Sequence, residues 1–352
     1  YEMLRSLVGS EMCIRDSTTI MYRPSVNFSK GNSNSGSFSE TLNNELIPIN
    51  QKEATNRQTN DRFSTNGSLQ FNRKLNSKGR NIALRLYYNL DNGNSDRYSL
   101  ANTYYLKYGD SIKVQNQWID NLNRNHEYRV QLTYMEPVFT NHFIEINYSY
   151  QHRSSLSEKY AYDWNDLEDS YSQYPDTAQS DCYKNKYSIH QVGAFFRTIR
   201  TNYFYNIGIE IEPQQTTNQS YMRDTTLEYS SRNAINYAPT MNFKYTFSKQ
   251  TTLRINYRGR TTQPSMTDLY SKNDISDPLN IRLTNPNLKP SFNNNISATF
   301  NTYFTETLRS FNANFSYSNT INSTTRIVTY DENTGGRTTQ PTNVNGNWRI
   351  NG

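Results

Sequence analysis

Few side chains in this 352-residue sequence could do chemistry, and their spacing argues against catalysis. The four histidines, His126, His142, His152 and His190, make no His-Glu-x-x-His run or comparable metal pattern. No Gly-x-Ser-x-Gly elbow and no phosphate-cradling glycine loop occurs. Cys182 sits in the polar run 180–185 with no histidine near it, and reads as a bystander loop thiol. Asp163, Asp166, Glu168 and Asp169 could offer oxygens to Ca²⁺, but they lack the spacing and glycine of an EF-hand and read as a solvated loop. No cofactor and no metal site is expected. What remains is binding chemistry. Tyr104, Tyr105 and Tyr108 share one long polar segment; Tyr160, Tyr162, Trp164, Tyr171 and Tyr174 share another. Aromatic faces stack on sugars or flat chelates, so these rings are the candidate ligand contacts. The competing reading places them in an interfacial girdle or packed within loops.

The elements that would carry such loops are strands. No stretch approaches eighteen consecutive apolar residues. Period-2 alternation recurs instead. Ile82, Leu84, Leu86, Tyr88 and Leu90 oppose Ala83, Arg85, Tyr87 and Asn89. Tyr128, Val130, Leu132 and Tyr134 oppose Arg129, Gln131 and Thr133, and Ile144, Ile146, Tyr148 and Tyr150 oppose Glu145, Asn147 and Ser149. Later segments repeat this, with Ile209, Phe243, Ile255 and Phe315 against Glu210, Lys244, Arg254 and Asn314. Each strand thus has one apolar and one hydrophilic face, and carboxylates such as Glu145, Glu210 and Glu212 belong to a polar wall. Composition agrees. Only 34% of residues are hydrophobic, yet 14% are aromatic, with 29 Tyr and 16 Phe. A soluble domain of this size needs more aliphatic core; a wide membrane barrel with a wet lumen does not. The net charge of +6 is spread over scattered Lys and Arg, which leaves no nucleic-acid footprint.

The connections give the topology. Short links fall at 76–79, 136–141, 198–201, 248–251 and 305–310, and long polar links at roughly 31–61, 92–117, 152–183, 213–234, 261–291 and 319–337. Sorting of this kind predicts an antiparallel up-and-down transmembrane β-barrel, all-β, with the long loops outside the cell. About twelve strands are expected, starting near 18, 63, 80, 118, 142, 184, 202, 235, 251, 292, 310 and 338.

Both ends look foreign to this pattern. Residues 5–17 resemble a translated sequencing adapter, so residues 1–17 are expected to be an artefact that packs against nothing. Residues 18–352 then form one partial barrel domain, stopping inside a strand.

One run carries a family resemblance. Tyr257 and Arg260 end a strand; Pro264, Ser265, Asp268 and Leu269 follow; then come Asp277 and Pro278, and Asn285, Pro286, Leu288, Lys289 and Pro290 just before the next strand. This resembles the signature of TonB-dependent receptor barrels and the related outer-membrane β-barrel proteins. The sequence departs from it at Ser291, where the family usually has Glu. The residues themselves read as structural: a Pro lacks the N–H that a central ladder needs, so these prolines stiffen a loop and fix where strands stop and restart. The resemblance implies a location in the outer membrane of a Gram-negative bacterium and contact with its lipid. It also implies a barrel of about 22 strands around a plug domain, and uptake of a scarce solute (a glycan, metal chelate or peptide) powered by the TonB complex. A surface lipoprotein is a further partner in that setting. Two other readings stand beside it: a plugless barrel acting as pore or scaffold, and a secreted glycan-binding β-protein.

Overall fold

The computed structural model describes residues 10–13, 17–43, 45–106, 111–223, 225–265, 268–269, 273, 275, 277, 279–332 and 334–352, with side chains from 17 onward. Its strands are β1 (Ser10–Cys13), β2 (Thr18–Leu42), β3 (Pro48–Lys74), β4 (Asn81–Tyr105), β5 (Ser111–Phe139), β6 (His142–Asn165), β7 (Ser170–Tyr171), β8 (Asp181–Ile199), β9 (Tyr203–Met222), β10 (Thr225–Thr246), β11 (Thr252–Thr262), β12 (Asn280–Arg282), β13 (Ser291–Phe304), β14 (Arg309–Ile321), β15 (Ser323–Tyr330), β16 (Arg337–Val344) and β17 (Asn347–Asn351). One 14-stranded sheet follows chain order from β1 through β6, β8 through β11, β13, β14 and β17, with β7 attached to β6. A second sheet has the order β12-β16-β15.

The large sheet is an antiparallel meander, so the links 75–80, 140–141, 200–202, 247–251 and 305–308 all lie on one rim, as the sequence predicts. The first is an Asx turn: the Asn76 side chain accepts from the amides of Lys78 (3.0 Å) and Arg80 (2.9 Å). Gly79 there has φ +103°, a conformation that side chains resist.

Register fixes the two faces. Residues directly opposite one another point to the same side. Leu84, Leu132, Tyr148, Val192, Ile211 and Tyr237 are successive partners across six strands. Ile144, Phe196, Ile207, Met241, Tyr257, Ile296 and Tyr317 form a second such row across seven. These rows are apolar yet open, with Val192 51% and Ile207 50% exposed. A continuous apolar surface of this extent is untenable in water and natural in lipid. The opposite face carries Arg85, Gln131, Ser149 and Gln191 as one row. Arg85, Glu145, Lys244, Arg254 and Asn314 all fall on that polar side, and Ile82, Leu84, Tyr148, Ile209, Phe243, Ile255 and Phe315 on the apolar one.

The polar face is concave. One depression of about 540 Å³ on it touches β5, β6, β8, β9, β10 and β11 together. Aromatic girdles border the apolar belt. On the turn side Tyr245, Phe247, Phe300 and Phe311 make a chain with successive centroids 4.6, 6.4 and 6.3 Å apart. On the other side Tyr128, Tyr150 and His190 make another, at 6.1 and 4.9 Å.

Three expectations need correction. The long polar links at 31–61, 92–117 and 213–234 are mostly strand, and shrink to 43–47, 106–110 and 223–224. Above the membrane both faces meet water, so the ladder continues without any alternation to reveal it. The strand expected near 338 is β16, in the small sheet; β17 takes its place beside β14. Pro341 of β16 lies past the last β12 partner, Thr339, where its missing N–H costs nothing. Finally, the backbone of Ser10–Cys13 pairs with Thr19–Tyr22, although the segment was expected to pack against nothing. An open edge offers N–H and C=O groups to any extended backbone, whatever its side chains. Residues 1–9 and 14–16 lie outside the described residues.

Candidate functional site

The aromatic candidates divide between the two faces. Tyr105 lies on the inner face, opposite Asn50, and Tyr104 on the outer one. Tyr108 lies outside the described residues. Tyr160, Tyr162 and Trp164 are on the outer face, in step with Tyr148 and Tyr150 of the same strand. Tyr162 stacks on Trp118 at 4.8 Å, and Trp164 meets Tyr171 edge-on at 5.0 Å. Tyr171 in turn reaches Tyr98 at 5.8 Å. Arg223 stands over the ring of Tyr174 at 5.2 Å. These rings pack on one another outside the wall, above the upper girdle. Burial, then a hydrogen bond with Cys182, pushes the Tyr160 hydroxyl up to about 12. Cys182 is a buried strand residue, 1% exposed, and not a loop thiol.

All four histidines fall on the outer face as well, His152 and His190 at the upper border of the belt. Among the described residues no three His, Cys, Asp or Glu side chains converge as a metal site.

The inner wall is a polar lattice. Arg197 pairs with Glu145 at 2.5 Å. Arg129 donates to Gln151 at 2.7 Å, and Gln151 donates to Glu127 at 2.9 Å. Ser149 donates to Gln191 at 3.0 Å, and Gln191 donates to Glu210 at 2.6 Å and Glu212 at 3.1 Å.

The motif-bearing segment between β11 and β13 folds over this inner wall. The Ser265 hydroxyl accepts the Asp268 amide at 3.0 Å, and the Leu269 amide donates to the Ser265 carbonyl at 3.2 Å, which closes a capped helical turn. Leu269 (2% exposed) and Leu288 (3%) are packed together against Tyr187 of β8. Asn285 ties the segment: its amide donates to the Asp268 carbonyl at 2.7 Å and its side chain to the Pro341 carbonyl at 3.0 Å. Pro286 follows it in a turn closed by Leu288 N–H to Asn285 C=O. The Lys289 amide donates to the Asn343 side chain at 2.7 Å, and Pro290 directly precedes β13. Tyr257 is on the outer face, donating to Asn294 at 3.0 Å, while Arg260 and Pro264 line an inner depression of about 430 Å³. Pro278 lies outside the described residues.

The far end of the segment reaches the opposite wall. Asp277 accepts from Leu279 N–H at 3.1 Å and Asn280 Nδ2 at 2.8 Å, and pairs with Lys52 of β3 at 2.9 Å. Burial alone would raise the Asp277 carboxyl, but the hydrogen bonds from Lys52 and Asn280 outweigh it and hold the group below the ordinary carboxylate range. Beside it, burial and then the Asp277 charge raise the Tyr105 hydroxyl. Asn50 donates to the Thr334 carbonyl at 2.6 Å from the same wall. The small β12-β16-β15 sheet is therefore a crosspiece, rooted at β11–β14 and gripping β3 across the lumen. Sequence reading missed Lys52, Asn50, Arg153 and Arg232 in this setting; they stand in polar runs with no alternation or motif to single them out.

The model of the outer membrane protein beta-barrel family matches residues 73–352. No curated protein matches the chain. Among solved structures the chain is similar to the Serratia marcescens hemophore receptor HasR, in complex with its hemophore HasA and heme, at 9% identity, covering 97% of this chain and 58% of that one with a TM-score of 0.49. It is similar to the copper transporter OprC at 9% identity, 93% and 54% coverage and a TM-score of 0.48. It is also similar to the ferric yersiniabactin uptake receptor FyuA from Yersinia pestis, at 7% identity, 92% and 56% coverage and a TM-score of 0.42. The chain spans between 54% and 58% of the length of these three.

Proposed function

This chain belongs to the outer membrane protein β-barrel family, and we propose that it forms part of the barrel of a TonB-dependent receptor that takes up a large, scarce solute. Its place is the outer membrane of a Gram-negative bacterium, with its apolar face against lipid. That location sets aside the secreted glycan-binding alternative.

The observation that carries the receptor reading is the motif-bearing crosspiece. Leu269, Leu288, Asn285 and Asp277 hold a segment inside the lumen mouth, braced on Lys52. A segment built to stand across the passage suits a wall that admits a captured solute and excludes bulk flow. In this reading a plug domain fills the lumen and the TonB complex supplies the energy. The solute (a glycan, metal chelate or peptide) is met at the outer rim, alone or on a surface lipoprotein. Of the aromatic candidates, Tyr105 is the one placed to face it. The wall has no catalytic duty.

The test is genetic. Uptake by the full protein should vanish when TonB is deleted. Uptake that survives the deletion would favour a plugless pore or scaffold.

A further inference from the structure

The inner depression beneath the motif holds an unbalanced set of charges. Arg153, Arg232 and Arg260 line it, against one carboxylate, Glu212. Glu212 accepts from the neutral Gln191 side chain at 3.1 Å and keeps its charge, so the lining carries three guanidiniums against one carboxylate. Among the described residues Arg232 has no hydrogen-bond or ion-pair partner, and Arg260 has no hydrogen bond but feels the charge of the Glu210 carboxylate. Arg153 is held differently: its guanidinium stands over the Tyr187 ring at 5.8 Å. Tyr187 is the side chain packed on Leu269 and Leu288. The two buried leucines of the motif therefore position an arginine, through one ring. Three guanidiniums against one carboxylate leave this concave, lumen-facing space net positive, and their planar forks suit carboxylate or phosphate oxygens.

We infer that this depression is a binding site for a multiply charged oxyanion group of the incoming solute, with Arg232 and Arg260 as direct contacts and Leu269, Leu288 and Tyr187 as positioning residues for Arg153. The assignment rests on the receptor reading in naming the anion as part of a solute. Binding itself needs neither TonB nor uptake, so the two can fail separately.

The test uses the full-length protein purified in detergent. Citrate and inorganic pyrophosphate are titrated calorimetrically at low and at physiological salt, with maltotriose as a neutral control. Citrate or pyrophosphate should bind and maltotriose should not; which of the two binds more tightly tells carboxylate from phosphate chemistry. Arg232→Gln and Arg260→Gln should each weaken binding about tenfold or more, the loss that accompanies one charge-assisted hydrogen bond. Tyr187→Leu should weaken it less, and Tyr187→Phe, which keeps the ring, should restore it. Heat-modifiable migration on gels checks that each variant has folded. Binding of neither anion by the folded protein, or equal binding by the folded Arg232→Gln/Arg260→Gln double variant, overturns the assignment.

Discussion

Lys52 and Asp277 lie 225 positions apart in sequence and meet at 2.9 Å across the lumen mouth. The contact joins the inner face of β3 to a segment rooted between β11 and β13. Both side chains are largely shielded, 19% and 31% exposed, so this pair is screened less than an ion pair at the surface. It is the latch of the crosspiece.

Cutting that latch should loosen one end of the crosspiece and leave the barrel intact. Asp277→Ala is expected to ease local opening by about 1 kcal/mol. Hydrogen exchange at the Leu279 and Asn280 amides would speed up, while amides of β5 stay protected. The pH dependence has a defined sign. The folded carboxyl is held below its ordinary value, so its stabilisation is complete above the ordinary carboxylate range and is lost as pH falls through the folded value. Exchange, corrected for its intrinsic rate, should therefore be flat near neutrality and rise only in acid. A Lys52→Met variant with unchanged exchange would refute the latch.

A charge placed on the belt should be far costlier than one placed on the lumen wall. Ile209 is apolar, outward and 44% exposed, near mid-belt. Ile209→Lys is expected to cost roughly 2–4 kcal/mol in lipid vesicles. Ser316→Lys, on the inner face with only Ser297 and Asn351 across the ladder, should stay within about 0.5 kcal/mol. Denaturant titration in vesicles measures both, and equal costs would contradict the assignment of faces.

Two glycines offer a contrast. A Cβ at Gly208 would lie 2.4 Å from the Ala194 carbonyl oxygen, which is backbone, and 2.3 Å from the Phe195 ring. The three atoms nearest a Cβ at Gly67 all belong to the outer part of the Tyr88 side chain, the nearest at 2.5 Å, and that ring can swing aside. Gly208→Ala is thus expected to destabilise by about 2 kcal/mol or more, and Gly67→Ala by about 1 kcal/mol or less. Tyr88→Ala should remove the penalty at Gly67, while Phe195→Ala should not remove that at Gly208. The same titration ranks them.

Cys182 should behave as an inert thiol. Burial pushes it above its ordinary value, beyond what the Tyr160 and Lys159 hydrogen bonds pull down, so the thiolate fraction at pH 8 is reduced. Maleimide labelling of a folded Cys13→Ser variant, in which Cys182 is the one remaining thiol, is expected to be slow and to become fast on unfolding. Rapid labelling in the folded state would show that β6 and β8 separate there.

How much of this was legible depended on what each strand faced. Leu84, Leu132 and Tyr148 announced their strands because lipid on one side and water on the other impose an alternation that can be counted. Asn56, Arg57, Gln58 and Thr59 announced nothing, because water lies on both sides and backbone hydrogen bonds leave no mark on side-chain order. For Tyr160, Tyr162 and Trp164 the two-residue spacing already required a shared face. Which face it was depended on an unbroken register back to Tyr148 through Arg153 and Leu156, and one bulge would have reversed it. The motif at 257–290 marked a special loop, but its partner Lys52 lies over two hundred residues away and carries no signal of its own.

The length of the strands has one more consequence. β5 has 29 residues, whereas crossing a bilayer takes about 10. At about 3.3 Å per residue and a tilt near 40°, the surplus raises the rim roughly 45 Å above the membrane. Over most of that height β3, β4, β5, β6, β8 and β9 are each paired on both sides, so a protease arriving from the medium finds little backbone there to draw into its cleft. The links at 43–47, 106–110, 166–180 and 223–224 are where it could bite, and nicking them would leave the turret standing.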